Sequence, residues 1–366
     1  MPAMLALLSL CAWIYLFFAH GAFWRSRPQL PAATPEEFPD VDIIVPARDE
    51  AETIQAAIGS LLAQDYGGNF RVILVDDNST DATAELAGSA ARLHIMRLTS
   101  KPAGWSGKLW ALREGIAASR SALVLLTDAD IVHQPTHLAS LITKLQSGQL
   151  DLVSEMVRLN CSSLAERMLV PAFVYFFQML YPFAKVNDAS SRVAAAAGGT
   201  VLVRREALER IGGIEAIKDA LIDDVALAKA VKRGGPIFLA HSELAASIRL
   251  YPKVADLWQM ISRTAFTQLR YSTALLILTM AGLGIVWLVP PWEAVFGSGW
   301  RLGCGVAACA LAATSYMPTL TRYKRNKLWA LALPLIALFY MAATAASAVN
   351  YWRGKGARWK NRAYQR

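Results

Sequence analysis

The sequence has few of the residues that build disulfide frameworks or zinc sites. Its four cysteines are scattered, three of them inside apolar runs, and their spacings match neither kind of framework. Its five histidines form no ligand cluster. His133 and His137 are four residues apart but lack the intervening Glu of a zinc-peptidase helix, and we expect both to lie on a solvated helix face.

Charged residues are also scarce, at 18% of the chain, whereas 55% of the 366 residues are hydrophobic. Residues 4–23 contain no charged side chain, are long enough to cross a bilayer and are followed by Arg25 and Arg27. Because no small-residue cleavage site precedes these arginines, we expect an uncleaved anchor whose carboxyl end is cytoplasmic. Three more apolar stretches predict a membrane region late in the chain: residues 273–292, 302–317 and 328–351.

The net charge of +9 does not indicate a nucleic-acid partner, because the basic residues lie beside the apolar stretches. They concentrate in residues 322–327 and 353–366, where anionic lipid headgroups would attract them. If all three late stretches cross the membrane, the basic tail lies outside, against the positive-inside bias. One stretch is therefore expected to be re-entrant or interfacial, and the sequence leaves open which.

Between the anchor and this region, short apolar runs alternate with helical patterns. We predict strands at residues 41–46, 71–77, 93–98 and 122–127, and helices at residues 53–63, 80–91 and 108–118. This alternation predicts a doubly wound α/β sheet. Later in the chain, Gly198-Gly199-Thr200 precedes a short strand, and Asp223-Asp224 opens a helix.

Three of the predicted strands end in carboxylates. The strand at residues 122–127 is followed by Asp128-Ala129-Asp130, and the first two strands are followed by residues 48–50 and 76–81. Ligands of parallel sheets bind past the carboxyl ends of the strands. Two carboxylates in one crevice repel unless a cation lies between them, so this pair indicates a divalent metal. The alternative is that these acids cap the helices that follow.

Two further segments have an amphipathic or apolar character. Residues 170–183 are apolar on nearly all sides, too short to span a bilayer and bounded by prolines, which predicts a segment in the membrane interface. Its aromatic residues Phe173, Tyr175, Phe176, Phe177 and Tyr181 suit that depth, and a buried core helix is the alternative. Residues 258–271 are amphipathic and contain Arg263 and Arg270.

Together these motifs resemble the ordered motif set of family 2 glycosyltransferases with the GT-A fold. The motifs are residues 46–50 (Pro-Ala-Arg-Asp-Glu), 75–81 (Val-Asp-Asp-Asn-Ser-Thr-Asp), 107–112 (Gly-Lys-Leu-Trp-Ala-Leu), Asp128-Ala129-Asp130 and Asp223-Asp224. With the anchor and the late apolar stretches, the whole chain is most similar to the hopene-associated membrane branch, near ceramide glucosyltransferase. The resemblance implies a Rossmann-like cytoplasmic catalytic domain with an N-terminal transmembrane helix and a C-terminal helical membrane region.

The resemblance also implies a site for a nucleotide-diphosphate sugar, preferably a UDP-sugar. The residues it assigns to the donor are Pro46, Arg48, Glu50, Asp77, Lys108 and Asp128. Asp130, with Asp128, would bind Mg²⁺ or Mn²⁺ bridging the diphosphate, and Lys108 would face the phosphates. A P-loop ATPase is disfavoured because Lys108 is not followed by Ser or Thr and the glycine spacing is incomplete.

For the chemistry, the resemblance makes Asp224 the general base, with Asp223 where Glu is usual. The neighbouring carboxylate would raise the pKa of Asp224, which suits a base, although Asp223 could also be a plain helix cap. Arg270 would neutralise the departing diphosphate. Gly199, Thr200 and Tyr271 would contact the acceptor, although Tyr271 stands where relatives have Trp.

The resemblance therefore implies a metal-dependent, inverting, multi-pass glycosyltransferase of the bacterial inner membrane. It would transfer a single sugar to a hydroxyl of a hopanoid or related lipid rather than extend a polymer. The predicted regions are an anchor (1–24), a linker (25–40), a catalytic domain (41–250), an interfacial segment (251–272), a membrane region (273–352) and a basic tail (353–366). The alternatives are a catalytically degenerate scaffold or lipid-binding protein, and a nucleotidyltransferase on the same fold.

Overall fold

The computed structural model describes residues 2–354, 358–359 and 362–363. The chain forms two compact units. The first, here called the helical unit, consists of Met1–Ser26, Cys161–Ala184 and Tyr251–Ala357. The second, the sheet unit, consists of Arg27–Asn160, Lys185–Leu250 and Arg358–Arg366. Each unit thus combines segments that are far apart in the sequence.

The sheet unit is organised by an eight-stranded mixed sheet. Its strands are β1 (Val41–Ala47), β2 (Phe70–Asp76), β3 (Leu93–Arg97), β4 (Leu123–Thr127), β5 (Ile131–His133), β6 (Leu152–Arg158), β7 (Thr200–Arg204) and β8 (Ile237–Ser247). Their spatial order is β3-β2-β1-β4-β7-β6-β8-β5. The first four are parallel, and β7 runs antiparallel to both β4 and β6. The carboxyl ends of β1, β2 and β4 and the amino end of β7 consequently lie at one edge of the sheet.

The helices follow one another along the whole chain. They are α1 (Pro2–Ile14), α2 (Ile54–Leu62), α3 (Thr83–Leu86), α4 (Gly107–Ala118), α5 (His137–Ser147), α6 (Leu164–Leu180), α7 (Phe183–Asn187), α8 (Arg205–Arg210), α9 (Asp223–Lys232), α10 (Val254–Gln268), α11 (Thr273–Trp287), α12 (Val289–Phe296), α13 (Trp300–Arg322) and α14 (Leu333–Trp352). A π-helical turn (Tyr15–Ala19) extends α1, and 3₁₀ turns form at Ile214–Ile217 and Lys327–Ala332. Two-residue strands β9 (Arg358–Trp359) and β10 (Arg362–Ala363) pair near the end of the chain.

The predicted strands and most of the predicted helices are confirmed. All residues of β1 and β4 are buried, as expected for apolar strands covered on both faces. The predicted helix at residues 80–91 is wrong, because only the four residues of α3 are helical. Asp81 accepts a hydrogen bond from the Thr83 N–H at 3.0 Å, and Gly88 has a φ of +78°. Local side-chain bonding before the helix and a left-handed glycine after it limit its length.

Among the described residues of the helical unit, four stretches are long and apolar enough to cross a membrane. They are Pro2–Ala19, Thr273–Phe296, Trp300–Arg322 and Lys327–Trp352. Each covers most or all of one predicted apolar stretch. The predicted α/β fold with N-terminal and C-terminal membrane-type helices is therefore confirmed, whereas the number of crossings and their orientation stay predictions.

Residues 170–183 lie mostly in α6, and the prediction that their aromatic side chains sit at a membrane surface is wrong for two of them. Tyr175 is fully buried and its hydroxyl is 2.6 Å from that of Ser315 in α13. Tyr181 is also buried and hydrogen-bonds Gln268 in α10 at 3.0 Å. The part of the segment around these two tyrosines fits the alternative of a buried core helix, because its apolar surface packs against neighbouring helices of the same unit.

The structure also modifies two predicted boundaries. Residues 161–184 group with the helical unit and interrupt the predicted catalytic domain of residues 41–250, because α6 packs against α10, α13 and α14. Part of the predicted linker joins the sheet unit, since Leu30 is buried in its core and the His241 N–H donates to the Pro28 carbonyl at 2.9 Å. Most of the predicted basic tail lies outside the described residues.

Candidate functional site

Four charged side chains meet where β4 ends and where α4 and α9 begin. We call Lys108, Asp128, Asp223 and Asp224 the Lys108 cluster. The Lys108 Nζ lies 2.9 Å from Asp128 Oδ1 and 3.1 Å from Asp223 Oδ2. These residues, which the sequence placed in three separate motifs, line one pocket together with Pro46 and Gly198. The structure therefore brings together one part of the predicted site.

Local structure explains why these side chains converge. Ser106 caps α4 by accepting the Leu109 N–H at 3.1 Å, which places Lys108 in the first turn. Asp223 is the first residue of α9, but the cap position is Ile222 and no side chain caps this helix. The alternative that Asp223 serves only as a helix cap is thus not supported. The helix dipole nevertheless favours both acids of this first turn.

Asp224 is held by two backbone donors. The Gly198 N–H donates to its Oδ2 at 2.8 Å, and the Val225 N–H donates to its Oδ1 at 2.7 Å. Burial, with the negative charge of Asp223 adding to it, raises the pKa of Asp224 to about 7, although Lys108 opposes this. The predicted direction of the shift is confirmed, but burial contributes more than the neighbouring acid.

The other charges of the cluster depend on one another. Burial works against the charge of Lys108, yet Asp128, Asp223 and Asp224 hold the pKa of its ammonium well above the ordinary value. Burial raises the pKa of Asp128, against the opposing positive charge of Lys108. One cation shared by three carboxylates leaves an excess of negative charge, a setting that favours additional positive charge near Asp128.

Gly198 fits closely against this cluster. A side chain there would place its Cβ 3.3 Å from Asp224 Oδ2 and 3.4 Å from Lys108 Nζ. The first distance is tight, so a side chain at this position would require the Asp224 carboxylate to shift by a few tenths of an ångström. The sequence singled out the Gly-Gly-Thr segment but gave no reason for its first glycine.

Arg249, which follows β8, is a charged residue of this sheet edge that the sequence did not identify. Its guanidinium donates to both carboxylate oxygens of Glu50, at 2.6 and 2.8 Å, and to Asp130 Oδ2 at 3.1 Å. The Ser247 hydroxyl also donates to Asp130 Oδ2, at 2.8 Å. Arg249 therefore links an acid of the first motif to the second acid of Asp128-Ala129-Asp130. It stands in no recognisable motif, so only the register of β8 reveals it.

Asp128 and Asp130 offer two carboxylates to a divalent metal. Within residues 2–354, no group of three or more His, Cys, Asp or Glu side chains is arranged to hold a metal. Two hard carboxylates nevertheless fit Mg²⁺ or Mn²⁺, because Mg²⁺ is commonly held by one or two carboxylates with substrate phosphates and water completing its shell. The excess negative charge at Asp128 fits the same group.

Most acids after β1 and β2 have structural partners instead. Asp49 Oδ1 accepts from the Thr80 N–H at 2.7 Å, and Asp76 Oδ1 accepts from the Ser79 N–H at 3.1 Å. Asp81 Oδ2 accepts from the Ala51 N–H at 3.1 Å. Asp49 and Asp81 thus tie the loops after β1 and β2 to each other, whereas Asp76 stabilises the turn within the second loop.

Arg48 and Asp77 belong to the same pair of loops. The Arg48 guanidinium donates to the backbone carbonyls of Asp77 and Asn78, the latter at 2.9 Å. Asp77 is fully buried. Pro46 lines the pocket of the Lys108 cluster, and the assignment of Pro46 and Asp77 to the nucleoside stays a prediction.

Two predicted acceptor residues lie at the start of β7. Thr200 is fully buried and its hydroxyl donates to the Gly199 carbonyl at 2.8 Å, which argues against the predicted contact with an acceptor. Gly199 packs against Val157 and Ile131, and a Cβ there would lie 3.0 Å from Val157. Both residues thus serve the packing of the sheet.

Arg270 and Tyr271 belong to the helical unit, where they follow α10. Both have a positive φ, of 51° and 57°. Tyr271 stacks on Tyr351 with a centroid distance of 4.5 Å. Their assignments to the diphosphate and to the acceptor stay predictions.

The mixed sheet, with its acids at the carboxyl ends of β1, β2 and β4, has the GT-A architecture. A solved structure supports this class: the mannosyltransferase PcManGT from Pyrobaculum calidifontis, in complex with GDP-Man and Mn²⁺, matches with a TM-score of 0.59. The match covers 97% of this chain and 100% of that one at 21% identity. At this identity the likeness shows the fold.

Sequence comparison supports a particular family within that class. Residues 42–212, just under half of the chain, match the model of Glycosyl transferase family 2. A beta-monoglucosyldiacylglycerol synthase from Nostoc sp. is 26% identical over 52% of this chain and 40% of its own length. The succinoglycan biosynthesis protein ExoU from Rhizobium meliloti is 34% identical over 29% of this chain and 30% of its own. The chain thus spans less than half of these relatives.

Proposed function

We propose that this protein transfers a sugar from a nucleoside diphosphate donor to the hydroxyl of a membrane lipid, with inversion at the anomeric carbon. One observation carries the proposal. Asp224, a carboxylate oriented by two N–H donors and with a pKa of about 7, lies in the same pocket as Lys108 and Asp128. A base with a pKa near the working pH is suited to general base catalysis.

In the proposed reaction, Asp224 accepts the proton of the acceptor hydroxyl. The acceptor oxygen forms a bond to the anomeric carbon from the face opposite the nucleotide, and the bond from that carbon to the diphosphate oxygen breaks. The charge that develops on the departing diphosphate is stabilised by Lys108 and, in this proposal, by Arg270. Asp223 keeps Lys108 charged and adds to the basicity of Asp224.

The donor would bind along the carboxyl ends of β1, β2 and β4. Pro46 and Glu50 would contact the nucleoside, and Arg249 holds the Glu50 carboxylate in place. Asp128 and Asp130 would hold Mg²⁺ or Mn²⁺, which when bound supplies positive charge to the diphosphate as a Lewis acid. A UDP-sugar is our preferred donor, with GDP-sugars as the comparison.

Two observations support a lipid acceptor. Four stretches are apolar and long enough to span a membrane, and one relative is named for a glucosyldiacylglycerol. The basic residues at 322–327 favour a cytoplasmic position for that loop. We further propose a hopanoid or related lipid as the acceptor and the bacterial inner membrane as the location, with the sheet unit in the cytoplasm.

The test uses the full chain purified in detergent, incubated with Mn²⁺, a bacterial lipid extract and either UDP-sugars or GDP-sugars. We expect release of the nucleoside diphosphate together with a new glycolipid that mass spectrometry identifies. Asp224→Asn should lower this rate by a factor of about 10³, because the base is removed. Asp219→Asn, at an exposed Asp close in sequence, is the matched control.

The outcome discriminates between the functions considered. Release of pyrophosphate would identify nucleotidyl transfer instead. If no donor is turned over by the wild type, or if Asp224→Asn retains the wild-type rate, the proposed function is wrong and a non-catalytic lipid-binding role gains support.

A further inference from the structure

Four buried polar side chains form a continuous chain in the sheet unit. Thr127, His133, His137 and Glu155 come from β4, β5, α5 and β6, and none is more than 4% exposed. Thr127 Oγ1 is 3.0 Å from His133 Nε2, and the two histidine Nδ1 atoms are 2.8 Å apart. His137 Nε2 is 2.6 Å from Glu155 Oε2. The prediction that these histidines lie on a solvated helix face is therefore wrong.

At the Glu155 end of this row of side chains, the carboxylate accepts hydrogen bonds. Ser242 Oγ accepts the N–H groups of Leu244 and Ala245, at 3.2 and 2.9 Å, so its own proton goes to Glu155 Oε2 at 2.8 Å. The other carboxylate oxygen of Glu155 is buried and has no hydrogen-bond partner among the described residues. A net negative charge on this group would be costly, so the chain needs to carry a compensating proton.

At the Thr127 end of the row, the hydroxyl donates a hydrogen bond. Thr127 Oγ1 is 2.8 Å from the Gly199 carbonyl oxygen, which can only accept. Thr127 has a single proton to donate there, so it accepts from His133 Nε2. The Gly199 carbonyl also accepts from Thr200 at 2.8 Å, and two hydroxyls therefore fix its position.

The hydrogen bonds at these two ends determine which atom carries the proton in each hydrogen bond between them. We call this arrangement the proton order. With its proton on Nε2, His133 is neutral and its Nδ1 accepts from His137. Burial and the neighbouring His137 hold the pKa of His133 well below its ordinary value, in agreement with a neutral ring. His137 and Glu155 then share one proton at their contact, and the chain has no net charge. Loss of that proton would reverse the hydrogen bonds, and Thr127 would turn its proton from Gly199 to His133.

This row of hydrogen-bonded side chains reaches both segments that build the candidate site. Thr127 directly precedes Asp128, and Gly199 directly follows Gly198, whose N–H donates to Asp224 at 2.8 Å. We propose that the Thr127–His133–His137–Glu155 chain is a positioning element, whose proton order holds the Gly199 carbonyl and thereby the Gly198 N–H that orients Asp224. This inference rests on the proposed function, because it assigns the chain a role in orienting the proposed base.

The first test measures the proton order without any substitution. In wild-type protein with ¹⁵N-labelled histidine, the side-chain nitrogen shifts should identify His133 as the neutral ring protonated on Nε2. A His133 protonated on Nδ1 would overturn the inference, whether or not the protein turns over a sugar donor.

The second test removes the proton shared by His137 and Glu155 while keeping the volume of the side chain at position 155 nearly constant. In Glu155→Gln, the amide oxygen accepts from Ser242 and His137, so His137 becomes neutral and the chain reverses. We expect kcat to fall about tenfold, since small misplacements of a reacting group lower rates strongly. The KM for the donor should stay within about twofold. Ser242→Ala, which removes a hydrogen bond to Glu155 without reversing the order, should lower stability but leave kcat unchanged.

A double-mutant cycle separates positioning from general destabilisation. Thr127→Val removes the hydroxyl that transmits the order, so adding Glu155→Gln to it should produce no further loss of kcat. An unchanged kcat in Glu155→Gln, or an equal loss in both backgrounds, would overturn the inference. Inactivity of the wild type would instead contradict the proposed function.

Discussion

Two acidic regions at the same sheet edge use the same residue type in different ways. In the loops after β1 and β2, Asp49, Asp76 and Asp81 accept backbone N–H groups and fix the loops. In the Lys108 cluster, three acids surround a single ammonium, and Asp224 has a pKa of about 7. The number of carboxylates is therefore a poor guide to function, whereas the partners of each carboxylate distinguish a structural acid from a candidate catalytic one.

Removal of the shared cation should produce a large difference between the two regions. Lys108→Gln leaves three partly buried acids without a counter-charge and deprives the diphosphate of a positive partner. We expect kcat/KM for the donor to fall by a factor of about 10² or more in the nucleotide-release assay. Lys218→Gln, at an exposed lysine, should leave kcat/KM within twofold. A comparable rate in both variants would contradict the assignment of the cluster.

The pH dependence should sharpen the same contrast. Asp224 must be ionised to accept a proton, so kcat should fall as the pH decreases below about 7, by up to tenfold per pH unit. Asp223 raises the pKa of Asp224, so Asp223→Asn should move this limb of the kcat profile to lower pH. A limb that stays in place would mean that another group controls the rate.

The smallest effect on activity should come from the loop acids. Asp81→Asn weakens bonds to the Ala51 and Thr83 N–H groups, at 3.1 and 3.0 Å. We expect a loss of about 1 kcal/mol in the free energy of unfolding, measured by chemical denaturation, and a kcat within twofold of the wild type. A large loss of kcat with unchanged stability would place Asp81 in the site and remove the distinction between the two regions.

The strands were predictable because apolar runs buried on both faces leave a clear pattern, as in β1 and β4. The residues of the Lys108 cluster were also predictable, since they stand in motifs at element ends. The helix at residues 80–91 was not, because the apolar and polar spacing favoured a helix while Asp81 and Thr83 bond locally.

Other features depend on which strands become neighbours. Arg249 meets Glu50 and Asp130 only because β8 ends at the same edge as β1 and β4. The buried positions of His133 and His137 depend on Glu155 of β6, which supplies the partner that two adjacent imidazoles need. Spacing within one segment carries no information on such pairings, and this is why histidines four residues apart were assigned to a solvated face.

The order of segments in the two units has a consequence for the synthesis of this protein. Strand β7 lies between β4 and β6 in the sheet, yet the ribosome makes it after α6, which belongs to the helical unit. The sheet therefore cannot close while only its first six strands have emerged, and β4 and β6 wait with open edges. During that interval the nascent chain carries both an unfinished sheet and apolar helices. Unpaired strand edges and exposed apolar helix surface are thus present together at this stage of synthesis, which makes it prone to aggregation.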